Sequence, residues 1–402
     1  MSRAVFLNVP LQGHINPTLP VVAGLARQDE QITYYAGEAF RPAVEAAGAE
    51  FRGYDAAMPL PVDFDGSPYR VINTLLDATD WALDHLLGEV RALRPDYILC
   101  DSMTLWGTLI GRMLGVPVIC SITGMPASRA MFKSMRLADT LNMLGEMLGG
   151  SKDIARFNVA AGSLSRRYGL EKPGLFSVFQ NRGMLNLVYT SAMFQPYAET
   201  FDRDAFRFVG PSIAPRAGAD LSLLDLLDET RPLIVVSLGT LFNHHAGFYR
   251  MSLEALAGSD AQVVVAVGRR VDPAALGEPP SNVIVRQFVP QLELLRRACL
   301  FVTHGGMNSV SEALYYDVPL VVIPQGADQV WIANRVAQLG VGKVLDRRQV
   351  SAGRLRESVA EVRSHSRYAA AAARVGESLR KAGGYLRALD EIEAFKRMHR
   401  VA

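Results

Sequence analysis

The sequence predicts an α/β protein made of two doubly wound units that follow one another along the chain. Short apolar and β-branched runs alternate with longer amphipathic stretches in both halves of the 402 residues. Strands that are buried on both faces of a parallel sheet have this composition, so the alternation indicates parallel sheets covered by helices. The periodicity stops at residues 210–218, where glycine and proline cluster, and this stretch predicts a linker between the units.

The first half contains five predicted strands, which are Ala4–Val9, Ile32–Ala36, Asp96–Cys100, Val116–Ser121 and Leu185–Tyr189. Helical periodicity lies between them, at about Thr18–Arg27, Val71–Leu93 and Trp106–Leu114.

The second half repeats the pattern with predicted strands at Leu233–Ser237, Gln262–Val267, Val283–Gln287, Leu300–Thr303 and Leu320–Ile323. An amphipathic stretch, Tyr385–Arg400, follows Gly383 and Gly384 and predicts a last helix. In a doubly wound unit the ligand lies at the carboxyl ends of the strands, so we expect the site in the cleft between the halves.

Composition excludes several classes of partner. The formal net charge is +2 and the basic residues are dispersed, so we expect no nucleic acid and no acidic membrane surface as a partner. Cys100, Cys120 and Cys299 are too few and too scattered for a disulfide framework, and the first two are expected to be buried free thiols. The first residues lack the apolar core of a signal peptide, and apolar runs long enough for a membrane span are absent from the sequence. We expect a cytoplasmic protein.

The segment from Phe301 to Ser309 carries the most informative local pattern. It predicts a buried strand, a tight turn at His304-Gly305-Gly306, and a helix whose first turn holds Asn308 and Ser309. Glycines let the backbone approach a ligand, and a helix start offers N–H groups and the positive end of its dipole. The segment therefore suits a phosphate or diphosphate; the alternative is an ordinary strand-to-helix turn.

Two further segments flank this turn, Phe288-Val289-Pro290-Gln291 before it and Pro324 to Gln329 after it. With these segments the chain resembles the nucleotide-sugar-dependent glycosyltransferases of the GT-B fold. More narrowly, it is similar to the bacterial macrolide- and flavonoid-modifying branch of the UDP-glycosyltransferase superfamily. The resemblance extends to Gln12 to Pro17 and to Phe208 to Pro211. It implies two facing Rossmann-like domains with an interdomain cleft.

The resemblance also implies the division of the chain. We expect an acceptor-binding domain at residues 1–208, a linker at 209–228 and a nucleotide-sugar-binding domain at 229–383. A final helix at 384–402 is expected to return to the N-terminal domain.

His14 lies just after the first predicted strand, and a histidine that titrates near neutral pH suits removal of a proton from an alcohol or phenol. By motif position the resemblance implies that His14 is the catalytic base and that Asp101 orients it. Taken alone, His14 could be a loop or capping histidine. Asp101 could be the N-cap of the following helix, and this role is compatible with the catalytic one.

The resemblance implies a nucleotide site in the second domain. Phe288 would stack on the base, the Val289 backbone would contact the base edge, and Gln291 and Glu312 would bind the ribose. Contacts with the diphosphate are implied for His304, Gly306, Asn308, Ser309, Ser237, Gly239 and Thr240.

Asp328 and Gln329 occupy the positions that hydrogen-bond the sugar hydroxyls in the family. A deoxysugar would leave such groups unpaired, at about 1–3 kcal/mol each. We therefore expect UDP-glucose or a close UDP-hexose as the donor, rather than a dTDP-deoxysugar.

A methionine-rich region is expected to shape the acceptor pocket, because flexible thioether and aromatic side chains form pliable apolar walls. Its members are Met125, Met131, Phe132, Met135, Met143 and Met147, with Trp81 and His85 as a further part of the wall. The alternative is that these side chains belong to a helix core. The pattern indicates an aromatic or macrocyclic acceptor.

No cofactor is expected, since the nucleotide sugar is a co-substrate, and no metal is expected, since no carboxylate pair accompanies the predicted phosphate elements. Asp63-Phe64-Asp65 has the spacing of a manganese motif, but it lies in a Pro/Gly-rich loop far in sequence from the predicted phosphate elements. His244 and His245 lack a nearby set of ligands and are expected on a loop surface.

Together these features predict an inverting glycosyltransferase that binds a UDP-sugar and a small hydrophobic acceptor, as a monomer or a homodimer. Two alternatives are a nucleotide-sugar epimerase of the same fold and an inactive auxiliary homologue that activates a partner transferase.

Overall fold

The computed structural model describes residues 2–60, 68–133, 145, 147–216, 220–239, 245–326 and 328–401. It divides into two compact units, Met1–Ser212 with Gly383–Ala402 and Ile213–Ala382. The boundary falls between Ser212 and Ile213, inside the stretch in which the sequence predicts the linker.

The first unit contains a sheet of seven strands, which are β1 (Arg3–Leu7), β2 (Gln31–Ala36), β3 (Glu50–Gly53), β4 (Tyr97–Asp101), β5 (Val118–Ile122), β6 (Leu185–Val188) and β7 (Phe206–Phe208). Their order is β3-β2-β1-β4-β5-β6-β7, and all neighbours are parallel. The central strands β4 and β5 are buried along their whole length, as strands covered on both faces must be.

The described helices of this unit that precede the boundary are α1 (Gln12–Ile15), α2 (Leu19–Ala26), α3 (Arg41–Ala46), α4 (Pro68–Leu93), α5 (Leu105–Leu114), α6 (Arg129–Lys133) and α7 (Ser151–Tyr168). Short 3-10 helices lie at Glu38–Phe40, Leu175–Val178 and Ala198–Thr200. In α4 the buried residues recur every three or four positions, from Ile72 through Leu76 and Leu83 to Val90, so one face of this long helix packs on the core.

The second unit contains a sheet of six strands, which are β8 (Leu233–Ser237), β9 (Gln262–Ala266), β10 (Val283–Arg286), β11 (Ala298–Thr303), β12 (Leu320–Val322) and β13 (Gly342–Val344). Their order is β10-β9-β8-β11-β12-β13, again with parallel neighbours. Both sheets therefore reverse their strand order beside the first strand of the unit, which is the doubly wound topology that the sequence predicts.

The described helices of the second unit are α8 (Ala246–Leu256), α9 (Gln291–Leu295), α10 (Met307–Tyr315), α11 (Gln329–Leu339), α12 (Ala352–Ser364) and α13 (Ser366–Lys381). Short 3-10 helices lie at Ser222–Leu226 and Pro273–Leu276. The core consists largely of valines and leucines from β8, β9 and β11 that pack against apolar residues of α8 and α12.

The last helix, α14 (Gly384–His399), packs in the core of the first unit. It approaches α2 so closely that a Cβ atom on Gly24 would lie 2.3 Å from Cδ1 of Leu389. At its far end, Nζ of Lys396 lies 2.5 Å from Oε1 of the buried Glu30, whose other oxygen accepts a hydrogen bond from the Tyr97 hydroxyl. Apolar packing and a buried ion pair therefore both hold α14 in this unit.

Three strands differ from the sequence-based expectation, because β3, β7 and β13 were not predicted. Each of them is three or four residues long and lies at the edge of its sheet. An edge strand is solvated along one side, so its residues mix buried and exposed positions and form no apolar run. Among the described helices, none combines the length and apolar character that crossing a bilayer requires.

Candidate active site

Four of the predicted site residues, His14, Asp101, Ser237 and His304, lie at the two places where the strand order reverses. In the first sheet this place is between β1 and β4, where α1 carries His14 and β4 ends with Asp101. In the second sheet it is between β8 and β11, where β8 ends with Ser237 and His304 follows β11. Loops that leave neighbouring strands in opposite directions form a crevice at such a point, and ligands of doubly wound sheets bind there.

His14 and Asp101 form a hydrogen-bonded pair. Nδ1 of His14 lies 2.8 Å from Oδ2 of Asp101, whose side chain is fully buried, while 21% of the His14 side chain is exposed. A carboxylate at Nδ1 favours the tautomer that carries its proton there, which leaves Nε2 as a proton acceptor. The pair thus has the chemistry of an oriented general base.

Asp101 also stabilises the turn after β4. Its Oδ1 accepts a hydrogen bond of 2.7 Å from the backbone N–H of Met103. It is not the N-cap of α5, because that position belongs to Thr104. The carboxylate therefore uses one oxygen for the turn and the other for His14.

Sequence reasoning missed two neighbours of His14. Thr123, directly after β5, places Oγ1 3.0 Å from Nδ1 of His14. Asn8 donates from Nδ2 to the His14 carbonyl and to the Tyr34 hydroxyl, which also contacts Thr18. Burial raises the pKa of Tyr34, so this hydroxyl stays protonated and the network stays neutral. The polar Asn8 inside an otherwise apolar run was the signal that could have identified this network.

The structure describes part of the expected acceptor region. Met125 is half-buried and lies two residues after Thr123, whereas Met131 is buried and contacts the amide of Gln195. Trp81 is half-buried on α4 and its ring stacks on His85 at a centroid distance of 4.3 Å. Met135, Met143 and the side chain of Phe132 lie outside the described part of the chain.

In the second unit, His304 lies between two glycines. A Cβ atom on Gly239 or on Gly306 would lie 2.5 Å from the imidazole ring, so both positions require glycine for the ring to fit. Burial lowers the pKa of His304 to about 4, although a hydrogen bond to the Ser237 backbone acts in the opposite direction. The imidazole is therefore a neutral side chain at pH 7.

The helix α10 begins directly after this turn, with Gly306 as its N-cap. Gly306 has no side chain to cap the helix, and Asn308 and Ser309 in the first turn are half-buried. The preceding Gly305 has a φ of +89°, a left-handed conformation that glycine adopts without strain. The turn and the helix start together provide polar groups and a positive dipole end that suit an anion.

Gln291 and Glu312, both predicted to bind ribose, contact each other. Nε2 of Gln291 donates to Oε2 of Glu312 over 2.7 Å, and Glu312 is buried. The guanidinium of Arg216 pairs with Oε1 of the same carboxylate. Sequence reasoning did not single out Arg216.

Phe288 is 55% exposed, and the guanidinium of Arg269 lies 5.4 Å from the centre of its ring. An exposed aromatic ring at the carboxyl end of a sheet is available for stacking on a planar ligand. The following residue, Val289, is half-buried.

Asp328 and Gln329 stand at the start of α11. Asp328 is the exposed N-cap residue, and Gln329 is buried, with Oε1 accepting a hydrogen bond of 2.8 Å from the Gln325 backbone. Gln329 also borders the glycine turn, since a Cβ atom on Gly305 would lie 3.6 Å from its carbonyl oxygen.

Thr240, Asp63, Asp65 and His244 lie outside the described residues. Among the residues that the structure does describe, no group of three or more His, Cys, Asp or Glu side chains is arranged to hold a metal ion. The three cysteines are free, and Cys100 and Cys120 are buried as expected.

The chain is similar to known proteins over almost its whole length. The profile of the family described as "Erythromycin biosynthesis protein CIII-like, C-terminal domain" matches residues 250–381. The chain is 36% identical to "Uncharacterized UDP-glucosyltransferase YojK" of Bacillus subtilis (strain 168), over 98% of both chains. It is 29% identical to the oleandomycin glycosyltransferase of Streptomyces antibioticus, over 98% of this chain and 90% of that protein. Among solved structures, the glycotransferase of kitacinnamycin matches with a TM-score of 0.82 at 29% identity, over 98% of both chains.

Proposed function

Because the chain belongs to the bacterial UDP-glycosyltransferases, we propose that it transfers glucose from UDP-glucose to a hydroxyl of a small hydrophobic natural product, with inversion at the anomeric carbon. The observation that carries this proposal is the 2.8 Å contact between His14 and Asp101 at the strand reversal of the first sheet.

In the proposed reaction, Nε2 of His14 removes the proton of the acceptor hydroxyl as its oxygen attacks the anomeric carbon. The bond between that carbon and the β-phosphate oxygen breaks, and its electron pair leaves with UDP. Attack from the side opposite UDP inverts the configuration. Asp101 stabilises the imidazolium that forms on His14.

The second unit would bind the donor and stabilise the leaving diphosphate. The start of α10 offers its dipole and its backbone N–H groups to the diphosphate. These groups supply the positive potential that a metal ion provides in other transferases, so the proposed reaction needs no divalent metal.

A hexose with its full set of hydroxyls fits Asp328 and Gln329 as sugar-binding residues. Since Oε1 of Gln329 accepts from the Gln325 backbone, its Nε2 is the group that would donate to a sugar oxygen. The acceptor is proposed to lie near Met125, which follows Thr123 and hence the His14 pair. The similarity to the oleandomycin glycosyltransferase supports an acceptor of the natural-product class.

The test is a transfer assay with UDP-glucose, other UDP-hexoses and dTDP-deoxysugars against a panel of phenols and macrolides, read by mass spectrometry. We expect glucosylated products, a β linkage by NMR from the α-linked donor, and unchanged rates in EDTA. An isomerised UDP-sugar formed without acceptor would instead establish the epimerase alternative. Preference for a dTDP-deoxysugar, measured as kcat/KM, would overturn the donor assignment, and activity restored only by Mn²⁺ or Mg²⁺ would overturn metal independence.

A further inference from the structure

Glu312 is held by two residues from separate segments of the chain. Gln291 opens α9 and donates to Oε2, while Arg216 lies near the start of the second unit and pairs with Oε1. The Glu312 side chain is 7% exposed and that of Arg216 is 34% exposed. The three side chains form a cluster, Arg216–Glu312–Gln291, with the carboxylate as its buried centre.

A buried carboxylate stays ionised only if a cation or several hydrogen bonds replace the water that it loses. In this cluster Arg216 supplies the positive charge, and Gln291 supplies a neutral donor. A carboxylate can accept about four hydrogen bonds, so these two contacts leave capacity on Glu312 for further hydroxyl groups. An ionised carboxylate is also a stronger acceptor than a protonated one.

We propose that Arg216 is a positioning residue for the nucleotide: together with Gln291 it fixes the carboxylate oxygens of Glu312 so that they accept hydrogen bonds from the ribose hydroxyls of the donor. This inference rests on the proposed function, in which Glu312 and Gln291 bind the ribose. Arg216 acts through Glu312, so its contribution depends on the hydroxyls that Glu312 accepts.

A purely structural role makes a different prediction. If Arg216 only anchors the first residues of the second unit, its loss weakens every nucleotide to the same extent or lowers stability without changing affinity. The two roles therefore separate when one ligand carries the ribose hydroxyls and another lacks them.

The experiment compares the binding of UDP and of 2′,3′-dideoxy-UDP by titration calorimetry. The wild-type protein is measured beside Arg216→Met, which keeps the apolar stem, and Arg216→Lys, which keeps the charge. A matched control is Arg354→Met, which removes an exposed arginine of the same unit that contacts Gln349. Circular dichroism and thermal unfolding establish that each variant is folded.

We expect Arg216→Met to weaken UDP binding about tenfold, the scale of one hydrogen bond to a charged group, and to leave dideoxy-UDP binding unchanged. Arg216→Lys should recover part of the affinity, and the donor KM should rise with little change in kcat. Arg354→Met should bind both ligands as the wild-type protein does.

Equal losses for both ligands in Arg216→Met, or no loss for UDP, would overturn the proposal. If Arg216→Met does not fold, Arg216→Lys tests the proposal instead. That variant should also bind UDP more weakly than the wild-type protein does, with its affinity for dideoxy-UDP unchanged. Failure of the proposed function has another signature: the wild-type protein would bind UDP and dideoxy-UDP equally, or would bind neither.

Discussion

Acid should destabilise the second unit through His304, whose half-buried imidazole lies against Gly239 and Gly306. Burial lowers the pKa of His304 from 6.5 to about 4. Between these values the unfolded chain binds a proton that the folded chain does not, so stability is lost as the pH falls through this range. Above this pH range the imidazole is neutral in both the folded and the unfolded chain, and His304 no longer makes stability depend on pH.

The magnitude follows from the difference between the two pKa values. Each pKa unit corresponds to about 1.4 kcal/mol of unfolding free energy. The lowered pKa of His304 therefore reduces the stability by about 3 kcal/mol in total once the pH is below about 4. About 2 kcal/mol should already be lost at about pH 5. The variant His304→Gln has no titrating group there and should lose about 2 kcal/mol less than the wild-type protein between about pH 7.5 and pH 5.

Two measurements check this prediction. Hydrogen exchange of peptides from β8 and β11 follows the opening of the second unit and gives its free energy at each pH. Proton NMR follows the His304 ring directly, with His304→Gln assigning its signal among the 7 histidines. His365→Gln is the matched control, since it removes an exposed imidazole from the same unit.

Two results would refute the reasoning. A His304 ring signal that titrates near pH 6.5 in the folded protein would show that the side chain is not desolvated. A His304→Gln variant with the wild-type loss of stability at acid pH would assign that loss to other groups.

Four further outcomes are expected. His14→Ala should lower kcat on an aliphatic alcohol by roughly 10²–10⁴-fold with UDP affinity unchanged, and less on an acidic phenol that ionises without a base; near-full activity on the alcohol would exclude His14 as the base. Asp101→Asn should lower kcat while thermal stability stays close to wild type, whereas a purely structural role for Asp101 predicts lower thermal stability of Asp101→Ala with kcat per folded molecule unchanged. Asp328→Ala should lower kcat/KM for UDP-glucose more than for a deoxysugar donor, by about 0.5–1.5 kcal/mol per lost hydrogen bond, and equal losses would contradict its role. Lys396→Met leaves Glu30 as a buried unpaired charge and should cost about 3–5 kcal/mol in urea unfolding of the first unit; the double variant with Glu30→Gln should recover much of it, and no recovery would show that packing, not charge, was lost.

The central strands were predictable because burial on both faces imposes an apolar composition on them. β4, β5 and β8 are buried at every position, and each was found in the sequence. The edge strands β3 and β13 were not found, because one side of an edge strand contacts solvent and its residues are mixed.

Candidate site residues were predictable where a short segment of sequence contains the residue types that the site requires. In the turn at His304 to Gly306, Gly305 adopts a positive φ and Gly306 leaves space for the His304 ring. Both positions therefore require glycine, and the Gly-Gly pair makes the turn recognisable in the sequence. His14 and Asp101 were identified by motif position, and the structure brings them within hydrogen-bonding distance across 87 residues of sequence.

The sequence by itself determined the α/β class and the two doubly wound units, since these depend on local periodicity. From turn chemistry it predicted a site for a diphosphate, and from motif position a proton acceptor. Only the tertiary structure decided that Thr123 joins His14 and that Arg216 pairs with Glu312, contacts that span 109 and 96 residues. Such contacts depend on which strands become neighbours and on where each loop then ends. The sequence around a polar residue at the end of a strand does not indicate which partner the strand order of the sheet will place beside it.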